Sequence, residues 1–364
     1  MKAVIPCAKK KEGMFPFSET KPTALLPVRG EPVIKHIVRS LEEIGVDDIY
    51  LVTNHLEEQF EERFEEYTNI NIVHQEKLEG TADAVKACDF IEEDFFVVNG
   101  DVLISGNDLQ NLKDKHDESG GKASILAAHE DKPEKFGVLS IRHDQVSKIS
   151  EKPEEAENSL VNSGIYILDP EIFDTIEGLN SSSLTDAVSE LAETGESYFE
   201  MIEDYWIDIG GPRELQKADR LKREEISSTE IAPDAEVSQS AEITGDAVIE
   251  AGAEVKESTV IEGKCFIGEN TVVGPNTVIR DSSIGQGCQV RNAEIDGSIV
   301  FEENIFDPFV MIEGCIIGEE GDFKSGSVIR ESFIGARSFV DMNNSIRGVK
   351  FVPDARTDLS EISK

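Results

Sequence analysis

The sequence predicts a two-part α/β protein. A doubly wound, mostly parallel, Rossmann-like sheet is expected over residues 1–226, and a left-handed parallel β-helix over residues 227–350. Two observations carry this. From Met1 to about Ala218, short apolar strands alternate with amphipathic helices at the spacing of successive βαβ units. From Ile231 an aliphatic residue returns every sixth position, through Val237, Ile243, Ile249, Val255, Ile261, Ile267, Val273 and Ile279. After one shortened step the row continues through Ile284 and Val290. The length agrees, since 364 residues are more than one hydrophobic core comfortably organises.

In the first part, AVI at 3–5 reads as a buried strand, and Val33, Ile37, Leu41 and Ile44 recur at helical spacing after it. DIYLVTN, NIVHQ and DFFVVNGDVL read as further strands, separated by the helices LEEQFEERFEE and TADAVKACDFI. KASILAA, FGVLSI and SGIYIL add later strands, then the helix LTDAVSELAET, the stretch YFEMIEDYWIDIG and a charged helix ELQKADRLKREEI. A sheet of this kind binds ligands beyond the carboxyl ends of its strands.

In the second part a small residue stands four positions after each aliphatic one from Ile231 to Ile284: Ala235, Ala241, Ala247, Ala253, Thr259, Cys265, Thr271, Thr277, Ser283 and Cys288. The aliphatic side chain fills a triangular prism and the small one fits beside the corner where the chain turns. The pattern weakens from Glu302 to Gly314, then resumes through Ile317, Phe323 and Ile329 to about Ile346. Residues 351–364 read as a disordered acidic tail.

Composition excludes several classes of partner. With 74 acidic residues against 35 basic ones the formal net charge is -39, which repels nucleic acid and anionic lipid and resembles the solvated coat of halophilic cytosolic proteins. Five cysteines, odd in number and without a CxxC pair, encode neither a disulfide framework nor a zinc site. No apolar run approaches the ~18 residues of a membrane span, so no membrane partner and a cytoplasmic location are expected.

Three groups of residues carry chemistry. Asp101, in NGD, ends one apolar strand, and Asp208, in YWIDIGGP, ends another. Two such carboxylates suit a hard, oxygen-liganded cation, most simply Mg²⁺ bridging phosphates. Gln75 stands five residues before Gly80 and Thr81 at a helix start, where an amide that both donates and accepts suits a base edge, or where Thr81 is simply the helix cap. Glu151, Lys152, Asn162 and Gly164 offer a carboxylate for sugar hydroxyls and a lysine for a phosphate. Lys9, Lys10 and Lys11, consecutive in so acidic a chain, mark an anion near the end of the first strand.

With MKAVI, PFSETKPTALLPV, Gln75 with GTA at 80–82, NGD, EKP at 151–153, NSGIY and WIDIGGP in order, the chain resembles a sugar-1-phosphate nucleotidyltransferase with an appended left-handed β-helix. Enzymes of that family join an NTP and a sugar 1-phosphate into an NDP-sugar and pyrophosphate. The resemblance implies that Asp101 and Asp208 hold Mg²⁺, that Gln75 and Gly80 read the base, and that Glu151, Asn162 and Gly164 hold the sugar and Lys152 its phosphate. The Gln75 spacing is similar to the uridylyl and thymidylyl branches, so UTP or dTTP is the expected nucleotide. The opening motif departs from the family pattern: Lys9 and Lys11 replace two loop glycines, Glu12 a threonine, Gly13 an arginine facing the triphosphate, and Thr23 a lysine. Two expectations follow. In one, the lysines restore the charge and the protein turns over; a large gain on joint restoration by Gly13→Arg and Thr23→Lys would instead show an intact pocket behind a disabled loop. In the other, the protein is a binding or regulatory paralogue that assembles with an active relative. Some relatives carry acetyltransferase chemistry in the β-helix, which wants a histidine base. All six histidines precede the repeat, so the β-helix is read instead as a platform for homo-oligomers.

Overall fold

The computed structural model describes residues 1–76, 79–179 and 181–357. The tail expected over 351–364 is folded as far as it is described, with Phe351 pairing with Ile334 and Arg356 bridging to Phe339, and residues 358–364 lie outside the described residues. The chain forms two compact units: one of Met1–Lys10, Pro22–Leu25 and Val33–Asp208, the other of Lys11–Lys21, Leu26–Pro32 and Ile209 onward.

The first unit is built on β1 (Lys2–Pro6), α1 (Val33–Glu43), β2 (Asp48–Thr53), α2 (Glu57–Phe64), β3 (Ile70–His74), α3 (Thr81–Lys86), β4 (Phe95–Val98), β5 (Val102–Ile104) and α4 (Gly106–Ser119). These are followed by β6 (Ala123–His129), β7 (Gly137–Arg142), β8 (Gln145–Glu151), β9 (Leu160–Leu168), α5 (Glu171–Gly178), α6 (Leu184–Glu193), β10 (Ser197–Met201) and β11 (Trp206–Asp208). Nine strands pair in the order β3-β2-β1-β4-β9-β6-β10-β8-β7. The β3-β2-β1-β4 half is parallel, as the βαβ spacing requires, and β9 then runs antiparallel against β4 and β6. Alternation along β1 sorts the core: Ala3 and Ile5 face α1 and α4 through Ile34, Ile37, Leu41, Leu109 and Leu112, whereas Val4 faces Val85, Leu184 and Val188 of α3 and α6. The single expected strand DFFVVNGDVL is broken at Asn99–Asp101, and β5 leaves to pair with β11 in a separate ribbon. α4 and α5 were not foreseen. α4 is mostly polar, and its start is fixed locally by Ser105, whose Oγ accepts from the Asp108 amide.

In the second unit the hexapeptide row becomes three parallel sheets of eight, seven and seven short strands. Ile231, Ile249, Ile267, Ile284, Val300, Ile317, Ile334 and Phe351 stack down one inner face. Val237 through Val340 line the second and Ile243 through Ile346 the third. The weak stretch of the repeat is a continuous part of this prism. Phe306 takes an aliphatic position and stacks on Phe323 at 4.8 Å, and buried Asn304 takes a corner, donating to the carbonyls of Phe301 and Gly318 and accepting from the Gly321 amide. The shortened step has one consequence for the reading above. Ser282 takes the corner, and Ser283 turns outward to donate to Asp219.

That bond belongs to the device that organises the second unit. α7 (Pro212–Glu224) lies on the first sheet of the prism and carries Asp219, which is fully buried. Its carboxylate accepts from Arg223 Nε at 2.8 Å, from Ser283 Oγ at 2.7 Å and from the backbone amide of Arg29 at 2.9 Å. Arg223 also donates to the Lys264 carbonyl at 2.8 Å. Removing one partner of a buried pair strands the other charge. Asp219→Ala is therefore expected to lower the stability of the second unit by roughly 3–5 kcal/mol, measured by denaturant unfolding at fixed salt.

Four buried thiols give a second prediction. Burial holds the pKa of Cys265 and Cys315 up at about 11 and that of Cys88 and Cys288 at about 12, against an ordinary 9.0. Groups with a raised folded-state pKa stabilise the fold fully below the unfolded value, and that contribution is lost as the pH rises. Stability is expected to fall between about pH 9 and 12, and Cys288→Ala to flatten that fall in a pH series of denaturant unfolding.

Candidate active site

The parallel half of the sheet delivers its strand ends side by side, and the NGD turn lies there. The Gly100 amide donates to the Pro6 carbonyl at 3.2 Å, which sets the turn against the end of β1. Burial, together with the nearby Asp101 carboxylate, pushes the Cys7 thiol well above its usual range. β11 runs antiparallel to β5, with Asp208 opposite Val102, so the second aspartate is carried to the residue adjoining Asp101. Both aspartates are half-buried. Among the described residues no group of three or more His, Cys, Asp or Glu could hold a metal. The donor set here is two carboxylate side chains, which fits a hard cation that completes its shell with phosphate and water oxygens.

β9 crosses the same turn. Its register against β6 passes from Asn162 opposite Ala127 to Tyr166 opposite Ile125, so four steps on one strand face two on the other. Ser163 Oγ donates to the Leu126 carbonyl within this bulge. Gly164 adopts φ +79, and a Cβ there would lie 2.3 Å from Asn99 Nδ2. Only glycine supplies both that left-handed backbone and that space, and the NSG bulge and the NGD turn are thereby packed on each other. Asn162 is held from both ends: its Oδ1 accepts from the Gly164 amide at 3.0 Å and its Nδ2 donates to the Tyr166 hydroxyl at 2.5 Å.

Glu151 ends β8 and pairs with Lys152 at 3.5 Å, an exposed contact in which Lys152 has φ 42. Glu151 Oε2 and Thr185 Cγ2 lie 3.1 and 3.4 Å from the point where a side chain on Gly137 would begin. Thr185, on the first turn of α6, is thus a site neighbour that the sequence did not mark. On the other flank, Gln75 is buried and its Nε2 donates to the Gly80 carbonyl at 3.2 Å. The Ser182 carbonyl accepts from the Ala82 amide at 3.0 Å, and Thr81 Oγ1 accepts from the Leu184 amide at 3.2 Å. Thr81 therefore ties α3 to the start of α6.

The lysine-rich loop does not join this group as one piece. Lys9 is exposed and belongs to the first unit, whereas Lys11 heads a 3-10 turn (Glu12–Met14) in the second. Within that second unit Phe17 packs on Phe301 and Phe333, at centroid distances of 5.4 and 6.5 Å, and Lys21 pairs with Glu302 at 2.5 Å. A Cβ on Gly13 would lie 2.3 Å from the Gly210 carbonyl oxygen. Thr23 is buried, and its hydroxyl finds no hydrogen-bond partner among the described residues. Joint restoration of arginine and lysine at 13 and 23 is thus not the simple repair the sequence suggests. One side chain meets backbone and the other a buried apolar position.

Residues 12–225 match the family described as nucleotidyl transferase, and residues 226–357 match the GMPPB C-terminal domain. A bifunctional protein GlmU from Methanococcus maripaludis is 34% identical over 341 residues, covering 90% of this chain and 80% of that protein. A mannose-1-phosphate guanyltransferase from Saccharomyces cerevisiae is 33% identical over 214 residues, 55% of this chain and 58% of its own. The match to a GlmU of Methanocaldococcus jannaschii, 30% identical over 63% of this chain, spans 56% of that protein's length. A Bacillus anthracis structure described as a glucose-1-phosphate thymidylyltransferase, with sucrose bound, superposes with a TM-score of 0.57 at 27% identity, over 63% of this chain and 98% of its own.

Gly13→Arg is expected to lower the melting temperature by several degrees and Gly164→Ala by at least as much, because in the one case backbone and in the other the half-buried Asn99 amide must move. Thermal unfolding of the two variants beside the wild type checks this.

Proposed function

The chain belongs to the nucleotidyl transferase family, in its sugar-1-phosphate branch, and on that premise we propose that it transfers a nucleotidyl group from UTP or dTTP to a sugar 1-phosphate, releasing pyrophosphate. One observation carries the proposal. Gly164, proposed for the sugar, packs on Asn99, two residues before the proposed metal ligand Asp101, although the two motifs lie far apart in the chain.

In the proposed reaction an oxygen of the sugar phosphate attacks the α-phosphorus in line. The bond from that phosphorus to the bridging oxygen breaks, and pyrophosphate leaves with the electron pair. Asp101 and Asp208 would hold Mg²⁺, which supplies charge neutralisation at the phosphates. Lys152 exchanges its exposed pairing with Glu151 for the sugar phosphate, and the released Glu151 turns to sugar hydroxyls. Asn162 and Gly164 fix the sugar, and Gln75 with the Gly80 backbone addresses the base. Positioning and charge neutralisation are the whole of the chemistry required from the protein.

A second reading is favoured by one specific observation, the Gly210 carbonyl lying where a side chain on Gly13 would begin. With that place filled by backbone, the protein binds an NDP-sugar without turnover and assembles with itself or with an active relative. The assay that separates the two is pyrophosphate release with Mg²⁺, each of the four common NTPs and a panel of sugar 1-phosphates, at high salt. Release with UTP or dTTP is expected, and Asp101→Asn or Asp208→Asn should lower it ~10²–10³-fold with an unchanged melting temperature. A preference for GTP would overturn the base assignment. No release, with NDP-sugar binding by calorimetry, would establish the second reading.

A further inference from the structure

We infer that Asn54 is a positioning residue for nucleotide recognition: its side chain continues the ladder between β2 and β3 where the main chain of β2 has left it, and so fixes the place of Gln75. The inference rests on the nucleotidyl-transfer reading, in which Gln75 addresses the base, and extends it to a residue outside the sugar, base and metal assignments.

The case starts where the two strands end. They run parallel, with Thr53 opposite His74, and the Gln75 amide donates to the Thr53 carbonyl at 2.8 Å. In a regular parallel ladder the next bond runs from the His55 amide to the Gln75 carbonyl. Here the chain has turned out of the sheet. Leu56 adopts φ 54, and the His55 amide donates at 3.4 Å to the Ala8 carbonyl, on the β1 side. Gln75 is only 4% exposed, so a carbonyl deprived of its ladder donor there is costly. Asn54 replaces that donor, its Nδ2 lying 2.9 Å from the Gln75 carbonyl oxygen.

Gln75 is thereby held by the Thr53 carbonyl at its amide, by Asn54 at its carbonyl and by the Gly80 carbonyl at its side chain. Of these partners only Asn54 is a side chain, so only that bond depends on residue type. The turn that presents Asn54 is itself fixed. Glu57, on the first turn of α2, accepts from Thr53 Oγ1 at 2.6 Å and is bonded to His74 Nδ1 at 2.9 Å, which ties the helix to the last residue of each strand. The turn touches Ala8, next to Lys9, on one side and Gln75 on the other. It therefore sets the spacing between the loop after β1 and the residue proposed to read the base. An amide is required at 54, because a carboxylate of the same shape has no N–H to donate.

The test is Asn54→Ala, with Gln75→Ala and the double variant beside it. KM for UTP or dTTP should rise about tenfold in Asn54→Ala, the effect of a buried carbonyl left without its donor, while kcat and the KM for the sugar 1-phosphate stay within about twofold. In calorimetry with UTP, dTTP and glucose 1-phosphate as separate probes, affinity should fall about tenfold for the nucleotides and hold for the sugar phosphate. Because Asn54 acts through Gln75, the double variant should bind UTP no more than about twofold weaker than Gln75→Ala alone. Unchanged nucleotide affinity in Asn54→Ala, an equal loss for nucleotide and sugar phosphate, or simple additivity in the double variant would overturn the inference. Should Asn54→Ala not fold, Asn54→Asp decides by the same readouts. A wild type that binds neither nucleotide would overturn the nucleotidyl-transfer reading and this inference with it. A wild type that binds them, with the Asn54 variants unchanged, would overturn this inference alone.

Discussion

The second unit is held by one buried carboxylate. Asp219 reaches three segments far apart in sequence: its own helix through Arg223, the prism through Ser283, and the N-terminal segment through the Arg29 amide. A carboxylate with no solvent must accept hydrogen bonds along several directions, and it recruits whatever donors the chain can bring. The outer face of the first prism sheet shows the result. Phe266, Ile299 and Ile316 point away from the prism yet are buried, at 7%, 3% and 0% exposure. A free prism face carries charge, and this one is apolar because Lys11–Lys21, Leu26–Pro32 and α7 form one compact unit with it.

The other faces show the ordinary solution. Arg280 pairs with Glu262 at 2.9 Å and with Glu294, and Arg330 pairs with Glu313 at 2.7 Å. Each partner lies one coil away. Exposed pairs of this kind contribute little individually, at most about 1 kcal/mol. Their use here is to break up like charges, since parallel in-register stacking also sets Glu236 directly beside Glu254. In a chain of net charge -39, a few arginines placed between glutamates limit self-repulsion along each ladder.

What could be read from the sequence follows the range of the forces involved. The prism was legible almost throughout because its periodicity is local, and it misled only at Ser283, where one lost residue turned a side chain from corner to surface. Phe306 and Asn304 broke the pattern by residue type while keeping its geometry, a substitution visible only once the stacked partner Phe323 is known. In the first unit most strands could be read as apolar runs, though β8 and the break between β4 and β5 could not, and NGD, EKP, NSG and WID were legible as motifs. That Gly164 must be glycine because Asn99 stands over it was not, and neither was Thr185, which carries no motif and enters from a helix start. The loop was the hardest part. Its conformation depends on Phe17 meeting Phe301 and on Lys21 meeting Glu302, partners nearly 300 residues away that no local rule connects.

The approach of Gly13 to the Gly210 carbonyl also bears on how this sequence can change. A glycine exposed on a loop normally accepts most replacements, because open space surrounds its Cα. Here the neighbouring main chain has moved into the place a side chain would start, so position 13 is open only after the segment at Gly210 has been rebuilt. The order of substitutions is thereby constrained. A side chain at 13 comes without a cost in stability only after residues near 210 have changed.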